Sequence, residues 1–218
     1  MSESLLLSLV VIFGVILVSM TLHEAMHGFV AYWLGDDTAK LQGRLTLNPL
    51  KHIDPFLTIL LPLVLAIVGA PIFGGAKPVP FNPARVRHDE WGAALVALAG
   101  PLTNFVLAFV FFGIGTLLGF HMASLSYSSP LEMAFMYGVI VNLGFFVFNM
   151  IPVPPLDGSR VLYALAPDFV RRGMEFIEQY GLVFVFILVL FASSLVGTLM
   201  QTVIGAIIEL FSRIFITG

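Results

Sequence analysis

His23-Glu24-Ala25-Met26-His27 interrupts an almost wholly apolar run that extends from Leu5 to Met20 and resumes with Phe29, Val30, Tyr32 and Trp33. Ionisable groups inside such a run are costly in a membrane and mark function. On a helix, residues four apart share a face, so the ring nitrogens of His23 and His27 can reach one metal ion. Glu24 projects about 100° further round, placed to address a water at the metal rather than the metal itself. Two neutral imidazoles, a carboxylate base and an open coordination position make the zinc-hydrolase arrangement.

Working outward, the 218 residues are 59% hydrophobic and 11% charged, more apolar than a soluble surface could cover. Several segments reach the ~20-residue length of a membrane-spanning helix. The expectation is a single transmembrane domain over residues 1–218, an all-α, polytopic helix bundle in contact with the lipid bilayer. The net charge of −3 gives no sign of a nucleic-acid partner, and the absence of cysteine rules out disulfides and thiolate ligands. A zinc ion here must take histidine and carboxylate. Glu3, with no Lys or Arg ahead of the apolar run, argues against a cleaved signal peptide.

The first span covers about residues 5–34 and ends at Gly35-Asp36-Asp37. Lys40–Leu47 partly alternates, which suggests a short cytoplasmic-side β strand able to receive an extended substrate by edge pairing. Residues 56–73 are apolar but short, with Pro62 inside and Gly69, Pro71, Gly74 and Gly75 at the end. Further spans are expected at 91–120 and 130–151. A polar helical stretch follows around 160–178, then an apolar tract at 180–216 long enough for one or two spans.

Nine of the ten Lys and Arg residues fall in 40–51, 77–87 and 160–172. The positive-inside rule puts all three stretches in the cytoplasm, and the N-terminus and the 121–129 loop outside. Residues 40–51 and 77–87 then share a side, so 56–73 enters and leaves by one face as a re-entrant or interfacial hairpin. An ordinary span that violates the rule is the alternative.

Two histidines leave a hydrolytic zinc one protein ligand short. His23 lies about 27 Å along its helix from Leu5, and the span over 130–151 carries the chain inward by a similar ~27 Å. Asp157 therefore arrives at the depth of the histidine pair. Prolines at 152, 154 and 155 stop the helix, and Gly158 permits close approach. An Asp-Gly turn is the plainer reading, but the matching depth favours a third ligand.

His23-Glu24-x-x-His27 in an apolar helix, Ala99-Gly100-Pro101 opening another, and Asn149-x-x-Pro152-x-Pro154-x-x-Asp157-Gly158 closing a third resemble the site-2 protease family of intramembrane zinc metalloproteases. The resemblance implies one Zn²⁺ per chain on His23, His27 and Asp157, with Glu24 activating the water. It implies a transmembrane-helix substrate cut within or near the bilayer, at a site nearer the cytoplasmic side. The position matched by Asn149 is associated in the family with substrate binding or stabilisation of the oxyanion. Asn142 lies two turns earlier on the same face and is a weaker substrate-binding candidate; a helix–helix hydrogen bond is the plainer role for it and for Asn104. Gly100 and Pro101 read as packing residues. The family's PDZ and nucleotide-sensing domains have no counterpart in these residues.

The leading function is thus a peptidase acting on membrane-embedded substrates, in a bacterial-type or archaeal plasma membrane. Its rival is a zinc-containing membrane protein that binds partners without cutting them, against which Glu24 counts. A zinc or proton transporter would need ionisable residues across the full membrane depth, and here they cluster near one side. His52, His88 and His121 read as loop histidines near the interface.

Overall fold

A computed structural model describes residues 3–69, 74–122 and 129–216. They form helices, with no strand among the described residues. Four of the helices are long and apolar enough to cross a membrane: α1 (Glu3–Trp33), α4 (Asp89–Leu117), α5 (Pro130–Asn149) and α9 (Ser193–Phe215). The chain is an all-α, multi-pass membrane protein, as its composition requires.

The end of α1 is built by its sequence. Gly35 takes a left-handed φ of +108°, which only glycine adopts freely. Its N–H bonds to Tyr32 O while that of Asp36 reaches back to Ala31 O, a Schellman stop that satisfies the last carbonyls. Arg87 completes the cap, with its guanidinium donating to the carbonyls of Trp33 and Leu34 at 2.5 and 3.1 Å.

The expected strand at Lys40–Leu47 is not formed. The buried Asp36 carboxylate accepts from the Thr38 N–H at 3.1 Å and its hydroxyl at 2.5 Å. These bonds start a helical turn, α2 (Thr38–Leu41). Gly43, at φ +63°, ends it with a second Schellman pattern, in which Arg44 N bonds Ala39 O and Gly43 N bonds Lys40 O. The glycine read as part of an alternating strand is the stop of a turn. Edge pairing at 40–47 has no strand to offer.

Residues 56–73 begin as π-helical turns at Pro55–Leu60 and continue into α3 (Leu61–Ile67). Pro55–Ile67 runs about 20 Å at ~1.5 Å per residue, short of the ~30 Å hydrocarbon core. Its two ends meet. Gly75 N donates to Leu57 O at 3.0 Å, and the Thr58 hydroxyl donates to Gly75 O at 2.7 Å. That is the closure of a hairpin, since a full span would separate these residues by the thickness of the bilayer; residues 70–73 lie outside the described residues.

From there residues 76–82 run extended back past the end of α1. Arg44, buried beneath them, donates to the carbonyls of Lys77 and Pro78 at 2.7 and 3.2 Å, and Asp36 accepts the Asn82 N–H at 2.6 Å. Burial alone would raise the Asp36 carboxyl, but the Thr38 hydroxyl and the Asn82 and Thr38 N–H groups outweigh it and hold it below the ordinary carboxylate range. His52 is a loop histidine, as expected. It is buried, with Nε2 donating to Thr46 O at 2.8 Å, and its carbonyl accepts from Lys77 N.

After α5 the chain turns into α6 (Gly158–Leu165) and α7 (Asp168–Gln179), where polar residues were expected. The apolar tract 180–216 resolves into α8 (Gly181–Phe191), too short to span, and α9. Met200 of α9 packs near Gly144, and Phe215 packs against Gly113. Phe105 and Phe146 lie ring to ring, so the Gly144 region is level with the middle of α4, and α9 runs in the same direction as α4. The aromatic core lies here, with Phe105, Phe109 and Phe112 each against Phe211, 5.2–5.7 Å between ring centroids.

Candidate metal centre

The site forms where α1, α4 and the turn after α5 meet. His27 Nδ1 lies 2.7 Å from Val96 O, and His23 Nδ1 lies 2.5 Å from Asn104 Oδ1. The later α1 residue meets the earlier α4 residue, so the two helices are antiparallel. Val96, Gly100 and Asn104, four apart on α4, thus face His27 and His23, four apart on α1.

Both acceptors are carbonyl oxygens, so each Nδ1 carries the proton and each Nε2 presents a lone pair. The two Nε2 atoms are 3.1 Å apart. Asp157 Oδ2 lies 3.2 Å from that of His23 and 3.5 Å from that of His27. This oxygen is buried and has no hydrogen-bond donor. Three potential ligand atoms therefore converge on one point, an arrangement that suits a bound cation. Their separations also fit one: a tetrahedral ion with bonds of ~2.0–2.1 Å has ligand atoms roughly 3.3 Å apart.

Gly100 closes the back of this cradle. A Cβ there would come within 2.4 Å of His27 Nε2 and 2.6 Å of His23 Nε2. Read from sequence as a packing residue, it is one, but what it packs against is the pair of histidine Nε2 atoms. Gly158 does allow a close approach, to the backbone of Met150, 2.4 Å from where its Cβ would stand. That contact folds the 150–158 turn tightly enough to bring Asp157 back to the histidines.

Glu24 stands beside the cluster. One of its carboxylate oxygens and one ring nitrogen of each histidine all lie within 4.8 Å of one another. Its Oε2 accepts the Val79 N–H at 2.8 Å. Extended residues 76–82 therefore orient the carboxylate, a contact invisible in the sequence because the donor is backbone.

The two asparagines differ. Asn149, half-buried at the end of α5, gives one amide hydrogen to Phe145 O at 3.0 Å. Asn142 is wholly buried, and both its amide hydrogens are taken, by Ser19 Oγ at 2.9 Å and Gly138 O at 2.7 Å. Its Oδ1 accepts from Asn104 Nδ2 at 2.8 Å. Asn142 thus has no hydrogen left to give a substrate oxygen; it sits behind Asn104, which touches His23. Sequence reasoning read Asn104 as a substrate-site candidate of low rank, with a helix–helix hydrogen bond as its plainer role, and did not single out Ser19.

The sequence pattern of peptidase family M50 matches residues 11–130 and 120–193, which together include every residue of the cluster. The chain belongs to peptidase family M50, the site-2 protease family. Among relatives, "Putative zinc metalloprotease YwhC" of Bacillus subtilis is 42% identical over 207 residues, covering 92% of this chain and 90% of that protein. "Putative zinc metalloprotease Rip2" of Mycolicibacterium smegmatis is 33% identical over 180 residues, 80% of this chain and 64% of its own length. "Putative zinc metalloprotease MJ0611" of Methanocaldococcus jannaschii is 48% identical over 67 residues, 31% of each chain. No solved structure gives a significant match.

Proposed function

We propose that this M50 peptidase is an intramembrane zinc metalloprotease that holds one zinc ion on His23, His27 and Asp157 and cuts transmembrane-helix substrates within or near the bilayer. The observation that carries the reading is the convergence of three lone-pair atoms, with Asp157 Oδ2 buried and lacking any donor. When bound, zinc supplies Lewis acidity, polarising a carbonyl and acidifying water.

This chain's own residues do the rest. Glu24 accepts a proton from the attacking water and returns it to the leaving amine nitrogen. The Val79 N–H, on Oε2, keeps the carboxylate from swinging onto the histidines and leaves its other oxygen for the water. Asn149 has a second amide hydrogen beyond the one on Phe145 O, available to the oxygen of the scissile carbonyl. The helical substrate must unwind to expose that carbonyl, since its own hydrogen bonds occupy it in a helix.

The basic residues orient the molecule. Residues 40–51, 77–87 and 160–172 face the cytoplasm, while the N-terminus and 121–129 lie outside, in the plasma membrane of a bacterium or archaeon. The hairpin closure at Leu57 and Gly75 supports this arrangement, because it returns residues 77–87 to the side they left. His23 and His27 sit in the last turns of α1, which supports a site near the cytoplasmic face. The chain lacks cysteine, so single cysteines can be probed with an impermeant thiol reagent on intact cells. Ser2→Cys should label and Ala84→Cys should not; labelling of Ala84→Cys from outside would overturn the topology.

The decisive chemical test is Glu24→Gln. The amide keeps the size of the side chain but cannot take the proton, so cleavage of a labelled transmembrane peptide should fall by ~10²–10⁴-fold. Zinc content, read by elemental analysis, should stay near one equivalent. A protein that only binds membrane partners would leave the partner's length unchanged by wild type and variant alike. Full cleavage by Glu24→Gln with zinc bound would sink the mechanism.

A further inference from the structure

We infer that Asn104 is a positioning residue which, locked by Asn142 and Ser19, fixes His23 in the tautomer that a metal ion requires. This inference rests on the metal reading above.

A neutral histidine can carry its proton on either ring nitrogen, and only the form with Nδ1–H leaves Nε2 free to ligate. The partner at Nδ1 decides between them. For His27 that partner is the carbonyl of Val96, a backbone group that can only accept. For His23 it is the side-chain amide of Asn104, which can present either its oxygen or its NH₂. Turned over, the same amide would offer a donor to Nδ1, drive the proton to Nε2 and leave His23 unable to bind.

The surroundings forbid that turn. With Oδ1 on His23, Asn104 Nδ2 donates to Asn142 Oδ1 at 2.8 Å and points at Ser19 O at 3.4 Å. Asn142 cannot be reversed either, because its Nδ2 already serves Ser19 Oγ and Gly138 O. Every donor on both amides has an acceptor in this orientation. Flipping Asn104 would set its oxygen against those of Asn142 and Ser19, and flipping Asn142 would set NH₂ against NH₂ and its oxygen against Gly138 O, at sites with no exposure to water. Leaving buried polar groups unpaired costs about 1–3 kcal/mol each, so the wrong orientation is sparsely populated. The chain from Ser19 through Asn142 and Asn104 to His23 crosses α1, α5 and α4, so assembly of those three helices sets the ligand's tautomer.

A purely structural role is the competing account, since interhelical asparagine bonds hold membrane helices together. Zinc affinity separates the two. Purified protein is titrated with zinc against a competing chelator, beside a thermal melt. Asn104→Leu, with the same branched arrangement of heavy atoms, should weaken zinc binding by roughly 10–100-fold in the folded protein. Asn104→Asp restores an acceptor for the Nδ1 proton and should recover most of that loss, although its bond to Asn142 is gone. If Asn104→Leu does not fold, Asn104→Ser, which is small and cannot reach His23, gives the same decision. Wild-type zinc affinity in a folded Asn104→Leu or Asn104→Ser, or equal loss in Asn104→Asp, overturns the inference. A wild-type protein that binds no zinc overturns the metal reading itself, a different outcome from either.

Discussion

Along α4, two kinds of helix packing follow one another within a few turns. From Val96 to Asn104 the helix presents small residues and directed polar groups to α1: a backbone carbonyl, a glycine and an amide, each set against an imidazole. From Phe105 to Phe112 it presents aromatic rings to α9, held by contact alone. In a membrane neither half gains from expelling water, so helices associate through close packing and hydrogen bonds. The first half takes both, and each imidazole there has its Nδ1 held by one acceptor and its Nε2 set against Gly100. The second half uses rings that can tilt and slide. Precision is concentrated where the chemistry is, and the rest of the bundle is tolerant.

That difference can be broken at its most exacting point. Gly100→Ala adds one methyl 2.4–2.6 Å from the Nε2 atoms of His27 and His23. Neither imidazole can step aside, because Val96 O and Asn104 Oδ1 hold their far nitrogens. The methyl must displace the rings from Asp157 by a few tenths of an ångström to an ångström. Misplacement on that scale costs on the order of 10²-fold in rate. Zinc should be depleted as well, by elemental analysis, while the melting profile shows a folded protein. Normal zinc and cleavage in Gly100→Ala would show that the site is looser than its hydrogen bonds indicate.

How far the sequence revealed this site follows the same division. His23, Glu24, His27 and Asp157 were legible because ionisable groups in an apolar run demand a reason, and helical spacing then says which of them share a face. Asp157 needed only helix lengths to be placed at the right depth, and the structure brings it to both histidines. Asn104 was visible but undervalued, since an asparagine in a membrane helix reads equally well as a helix–helix bond. Its partner His23 is 81 residues away, and periodicity carries no information across that gap. Val79 was beyond reach because its contribution is an N–H that every residue except proline has. The strand at Lys40–Leu47 failed for a local reason: alternation was counted while Gly43 and the capture of Thr38 by Asp36 were not weighed. The hairpin over 56–73 was inferred from charge parity, and its closure depends on contacts between Leu57, Thr58 and Gly75 that pattern alone does not give.

The smallest effect is expected at Gly113, thirteen residues further along the same helix. By distance alone it looks no safer than Gly100: a Cβ there would lie 2.7–2.8 Å from two carbons of the Phe215 ring. The neighbour, however, is the far end of a flexible side chain in the last turn of α9, and no hydrogen bond holds it. Overpacking of this kind costs ~1–3 kcal/mol where the neighbour cannot move, and the lower end applies where a ring can rotate. Replacing glycine by alanine inside a helix returns about 0.8–1.0 kcal/mol of propensity. The two terms nearly cancel, so Gly113→Ala in detergent should melt within about 4 °C of wild type. Zinc content and peptide cleavage should be unchanged, since the Phe215 ring touches none of the metal-site residues. A loss of zinc in Gly113→Ala would show that the aromatic half is coupled rigidly to the site, and the contrast along α4 would fail.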